Sequence, residues 1–219
     1  HASGQFPTPD AVHDESVFTD DEEGRVTVRY RLDPGMAQDT VLHGQLTTQN
    51  FESTPYLSLL LFPRVLGLLK FSDTLLHPCA ELVSARLAFY SRSVCADCEV
   101  SETVGFYGVS TSWDSAQTTW AQASDDIAWN EPGLSLEDRD ELATALMIYE
   151  GEQETDVGGV DLTVLVQAWV EHLKDPQNGR PNEGVASFQE DSLRADFHSV
   201  DASNPEQVPY LELVWMEQP

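Results

Sequence analysis

A histidine in first place carries a free amino group and an imidazole on one residue, and that pair chelates copper when a second imidazole is within reach. The second ligand would come from His13, His43, His77, His172 or His198, of which His13 is nearest in sequence and His43 falls in a loop. His1, His13 and His43 are therefore the candidate metal ligands. Three cysteines, Cys79, Cys95 and Cys98, are an odd number, so one is left over unless it bridges two chains. The "CADC" spacing suits a redox pair or half of a zinc site. His77 and Cys79 would supply the other half, but the intervening "LVSARLAFY" reads as an extended strand of roughly 30 Å at about 3.3 Å per residue. A local Cys95–Cys98 disulfide is the preferred reading, with Cys79 buried or free.

Carboxylates are abundant, among them Asp125 with Asp126, and Glu137 with Asp138 and Asp140. Acid and base catalysis requires two of them at a defined separation in a pocket, which spacing in the chain does not provide. No GxSxG, P-loop, HExxH or EF-hand pattern is present. Calcium is the second cofactor the residues suggest, because "ASDDIAWNEPG" and "KDPQNGRPNEG" place oxygen ligands in turns. Five indoles, Trp113, Trp120, Trp129, Trp169 and Trp215, suit either core packing or the stacking of pyranose rings. Trp113 and Tyr107, which flank a loop, are the candidate ligand-binding residues.

The elements that position these groups are short and β-rich. "RVTVRYRL" alternates with period two, "ELVSARLAFY" does so with slippage, and "YLELVWM" is a closing apolar run. "YLSLLLFPRVLGLLKF" is broken by Pro63, Arg64 and Lys70, so it reads as two buried strands turning at Phe62–Arg64 and not as a membrane span. "SLEDRDELATALMIY" opens with a Ser135 and Asp138 capping signal for a helical turn. "VDLTVLVQAWVEHLKD" puts Leu162, Val166, Trp169 and Val170 on one face of a helix over 161–174. The expected fold is one all-β, jelly-roll-like β-sandwich over 26–219 with a short helix, preceded by an acidic extended arm over 1–25.

The order "DTVLHGQLTTQNFESTPYLSLL", "GLLKFSDTLLHPCAELVSARLAFY", "SWDSAQTTW", "AWNEPG", "VDLTVLVQAWV", "PYLELVW" resembles the DNRLRE domain, from about residue 38 to 216. The resemblance implies a β-sandwich of secreted bacterial and archaeal proteins, related to carbohydrate-binding modules attached to polysaccharide lyases, with no catalytic constellation. This chain departs from the pattern at Ser72, where the family has aspartate, with Asp73 following, and in its cysteines and acidic arm.

Charge narrows the partners. Eleven Lys and Arg against 38 Asp and Glu give a net charge of -27, which repels nucleic acid and acidic membranes. A start such as "HAS" is what a cleaved leader leaves, so a secreted, extracellular or cell-surface location is expected. The sequence thus points to a non-catalytic module that attaches to a glycan or cell surface, neutral or cationic polysaccharides suiting its charge. The alternatives are a structural subunit of an extracellular assembly, in which the arm adds a strand to another copy, and a copper protein built on His1.

Overall fold

The computed structural model describes residues 19–20, 24–61, 64–92, 101–150, 156–189 and 194–216, with backbone alone at 19–20, 101–103, 141–150, 156–158, 189 and 194. His1, His13, Cys95 and Cys98 lie outside the described residues, and so does the greater part of the acidic arm.

The strands in chain order are β1 (Thr19–Asp20), β2 (Arg25–Arg31), β3 (Ala37–His43), β4 (Tyr56–Leu60), β5 (Val65–Phe71), β6 (Glu81–Tyr90) and β7 (Ser101–Val109). They continue with β8 (Gln122–Ser124), β9 (Ile127–Ala128), β10 (Arg139–Glu150), β11 (Asp156–Asp161), β12 (Val185–Gln189), β13 (Arg194–His198) and β14 (Tyr210–Met216). One helix, α1 (Thr163–Lys174), stands between β11 and β12. The described strand pairs are antiparallel, and β1-β2-β14-β6-β11 form one sheet. The second sheet runs β10-β7-β12-β5-β4-β13, with β3 also paired along β5 and joined to it through the whole of Ala37–His43. The all-β sandwich with a single short helix is as the sequence patterns require. Among the described residues no helix is long and apolar enough to cross a membrane.

Period-two alternation accounts for the first sheet. Val26 and Val28 of β2, Leu82, Ala85, Leu87 and Phe89 of β6, and Leu211, Leu213 and Trp215 of β14 point into the main core. Arg29 and Glu212 stand opposite one another on the outer face and pair at 2.6 Å. Thr19 and Asp20, the described end of the arm, pair with Thr27 and Val26 of their own sheet.

The second sheet is buried on both faces. Val65, Leu69 and Phe71 of β5 face the main core, whereas Leu66 and Leu68 face outward into a second apolar cluster with Leu42, Ala186 and Phe188. An antiparallel sheet of this kind usually leaves one face wet. Here the segment 110–138 lies across it and contributes Trp113, Ala123, Trp129 and Leu134 to the second cluster.

The helix closes the main core. Leu165, Val166, Trp169 and Val170 are buried, with Leu162 buried just before the first turn, and Val164 is exposed on the far side. Asp161 holds the start, its Oδ1 accepting from Thr163 N at 2.8 Å and from Thr163 Oγ1 at 2.6 Å. The Trp169 ring meets Phe71 edge-on at 5.2 Å, which ties helix to sheet.

Candidate functional site

The indole picked out for sugar stacking is not available for it. Trp113 is only 3 % exposed, and its Nε1 donates to the Glu183 carbonyl at 2.7 Å. The Lys70 ammonium sits 5.3 Å from its ring centre. The reason is the covering segment itself, which needs large apolar side chains to fill the outer face of the sheet. Tyr107 is half-buried on the same face, perpendicular to Phe188 at 5.4 Å and under the Arg139 guanidinium at 5.0 Å. Trp129, Trp169 and Trp215 are buried, and Trp120 is half-buried.

The metal expectations divide in the same way. His43 ends β3 with its Nδ1 accepting from Gln45 N at 3.2 Å and its ring stacked on Phe51. Among the described residues no three His, Cys, Asp or Glu side chains come together so as to hold a metal ion. Of the two turns considered for calcium, Asp125 and Asp126 are exposed between β8 and β9. In the other, Asp175 accepts from Gln177 N and Asn178 Nδ2, so its carboxylate folds the turn. Cys79 is a free, exposed thiol.

The capping signal at Ser135 turns out to anchor the covering segment. Leu136–Asp138 is a single 3₁₀ turn with a reciprocal Ser135 and Asp138 capping box. The Asp138 carboxylate also accepts from Thr111 Oγ1 at 2.7 Å and from the backbone and side-chain nitrogens of Asn130. Burial pushes this carboxyl up, but the hydrogen bonds from Thr111, Asn130 and Ser135 outweigh it and hold Asp138 below the usual carboxylate range. Ionised, it staples both ends of the segment.

A cleft among the described residues lies where β3 begins and β5 ends, beside Trp113. It is about 330 Å³ in volume and is lined by Met36, Ala37, Gln38, Lys70, Phe71, Ser72, Asp73 and Asn182. Local rules build each wall. Asp33 Oδ1 accepts from Gly35 N and Met36 N to fold the turn that leads into β3, and Ser72 N donates to the Met36 carbonyl at 2.7 Å. Ser72 Oγ then caps the turn Asp73–Leu75 by accepting from Thr74 N. Asn182 Nδ2 donates to the Phe71 carbonyl at 2.8 Å and to Asp73 Oδ1 at 3.0 Å, while its Oδ1 accepts from Gly184 N. Gly184 has a φ of 76°, the left-handed turn that swings the chain from the cleft wall into β12.

Charge in the cleft is partly balanced: Lys70 is matched by Glu183, and Asp73 leaves the rim net negative. Lys70 Nζ donates to Glu183 Oε2 and to the Trp113 backbone carbonyl, each at 3.1 Å, so the main chain at Trp113 and the Glu183 carboxylate together fix the ammonium. Gln38 Oε1 accepts from Ser115 N at 3.2 Å, which ties the covering segment to the same rim. The result is an open recess with pre-positioned amide, hydroxyl, ammonium and carboxylate groups around the apolar edge of Met36. Such a rim is able to recognise a polyhydroxylated ring by hydrogen bonds. Of these residues Ser72 and Asp73 stand out in the sequence as departures from the DNRLRE pattern, and Asn182 lies in a turn already marked for its oxygen ligands. Gln38 and Lys70 carry no local signal, because only the pairing of β3 with β5 sets them side by side.

The sequence matches no family model and no curated protein.

One buried carboxyl stands apart from the cleft. Asp39 is 2 % exposed on β3, and burial, with the Asp201 carboxylate nearby, pushes it up to about 8 despite a hydrogen bond from Val200 N. Asp201 is itself raised, by burial and by Glu52.

Proposed function

We propose that this domain is a non-catalytic, secreted module that attaches to a glycan or cell surface, and that the recess between Gln38, Lys70, Asp73 and Asn182 is its binding site. The observation that carries the reading is the recess itself: about 330 Å³, large enough for a sugar unit, with a rim of hydrogen-bonding side chains fixed by their neighbours. The resemblance to DNRLRE domains supports the same reading, and the Lys70–Glu183 pair with Asp73 beside it leaves a rim that suits a neutral or cationic ligand and repels an anionic one.

Retention in native gels containing neutral or cationic polysaccharides tests it. Asn182→Ala and Lys70→Met should each weaken retention at least about tenfold, the loss of one to two well-made polar contacts. Asp125→Asn, on the remote hairpin, should leave it unchanged. Retention that survives both cleft variants would place the ligand elsewhere, and no retention on any glycan would remove the reading.

A further inference from the structure

The turn that follows β13 is held down at three points. Ser199 N donates to the Pro55 carbonyl at 3.2 Å, Ser199 Oγ donates to the Thr54 carbonyl at 2.8 Å, and Val200 N donates to Asp39 Oδ2 at 2.9 Å. Ala202 N then closes the turn on the Ser199 carbonyl, and Asp201 N donates to Ser199 Oγ. Val200 is 3 % exposed and belongs to the main core, so the turn is a plug at one end of the sandwich.

Two of those anchors are neutral, and the third is a carboxyl in an apolar place. Asp39 lies between Ala37 and Val41 on the face of β3 that looks into the main core, and its Oδ1 is buried with no hydrogen-bond partner. The charged groups that face it are of its own sign, Asp201 on the turn and Glu52 beyond it on the 50–55 loop. Glu52 Oε1 accepts from Ser115 Oγ. The remaining titratable groups on the elements that meet here are His43, stacked on Phe51 at the far end of β3, Lys70 of β5, which pairs with Glu183 in the recess, Tyr56 of β4, Asp196 of β13, and His198 of β13, set edge-on against Tyr56 and Tyr90. Among the described residues no Lys, Arg or His pairs with Asp39. A carboxyl so placed is compatible with the closed turn while it holds its proton. An ionised one requires water, which reaches it only by lifting Val200 out of the core.

We propose that the Ser199–Ala202 turn is a proton-dependent latch, closed over the end of the sandwich while Asp39 is protonated and released when Asp39 ionises. The device does not depend on what occupies the recess at Gln38 and Lys70. It makes one end of the domain sensitive to alkalinity while the strands that form the sheets stay paired.

Hydrogen exchange of the whole chain at pH 6 and pH 9, corrected for the intrinsic pH dependence of exchange, reads the latch directly. The Val200 and Ala202 amides should lose protection at least about tenfold on going to pH 9, with Leu211 and Leu213 of β14 unchanged. Asp39→Asn should keep the turn protected at both values. Should that variant fail to fold, Asp201→Asn provides the check: without the like charge beside it Asp39 ionises more readily, so opening moves to lower pH. An equal response in wild type and Asp39→Asn, no shift in Asp201→Asn, or simultaneous loss of protection in β14 would overturn the proposal.

Discussion

Asp138 and Asp39 show how far the surroundings of one carboxyl decide its part. Asp138 is fully buried yet accepts hydrogen bonds from Thr111, Asn130 and Ser135, so its ionised form is the one the fold selects. Removing it leaves several part-buried donors without their acceptor, each a loss of about 1 kcal/mol or more. Asp138→Ala should destabilise the domain by about 3 kcal/mol or more, which for a chain of this size lowers Tm by roughly 6–12 °C. Thermal unfolding followed by circular dichroism checks it. Because the folded state lowers this carboxyl below its unfolded value, the stabilisation is present above the usual carboxylate range and is lost as pH falls through the folded value. In Asp138→Ala that acid-side loss should shrink.

The segment 110–138 closes the outer face of the second sheet. Its apolar residues follow no period, since it crosses the sheet as a mostly irregular covering layer in which β8, β9 and the Leu136–Asp138 turn are the short regular pieces. Sequence patterns therefore expose β2, β6, β14 and α1, where one face repeats every two or every 3.6 residues, but leave the role of Trp113 open between platform and filler. The fold decides for filler. Asp39 was legible in principle, because Ala37, Asp39 and Val41 share a face of "AQDTVLH"; a carboxylate there reads as solvated until the second core around Leu42 shows that β3 has no wet side. The recess was legible only at Ser72, Asp73 and Asn182. Trp129 measures how firmly the layer is attached: it is 4 % exposed and its Nε1 donates to the Thr119 carbonyl at 3.0 Å. Trp129→Ala should cost about 3–5 kcal/mol, the usual range for a buried indole. If the segment were only loosely laid on the sheet, urea unfolding would show a far smaller loss. Gly133 at φ 84° sits against the Trp120 ring, with its N donating to the Trp120 carbonyl at 2.7 Å, so even a methyl group there meets the indole.

At the scale of the molecule, a net charge of -27 on 219 residues sets the background against which every pair acts. Carboxylates repel one another across the whole surface, whereas the described cations, such as Arg29, Lys70 and Arg180, are drawn into pairs with Glu212, Glu183 and Asp140. Raising NaCl from 0.1 to 1 M shortens the screening length from about 10 Å to about 3 Å, which weakens the long-range repulsion more than these close contacts. Stability at pH 7 should therefore rise with salt. The pH profile then separates the general repulsion from the interior. Asp39 and Asp201 both hold their protons more tightly folded than unfolded, so the stability they contribute is complete below the unfolded carboxylate value and declines as pH rises toward the folded one, about 8 for Asp39. One such group accounts for at most ~1.4 kcal/mol per pH unit across that window. Asp138 acts with the opposite sign at the acid end. Tm measured from pH 3 to 9 should thus peak on the acid side of neutrality and fall toward pH 8. In 1 M NaCl the surface part of that fall should flatten while the part due to Asp39 persists, because salt does not reach a carboxyl sealed between Ala37 and Val41. A profile that becomes level in high salt would show that surface repulsion alone had shaped it.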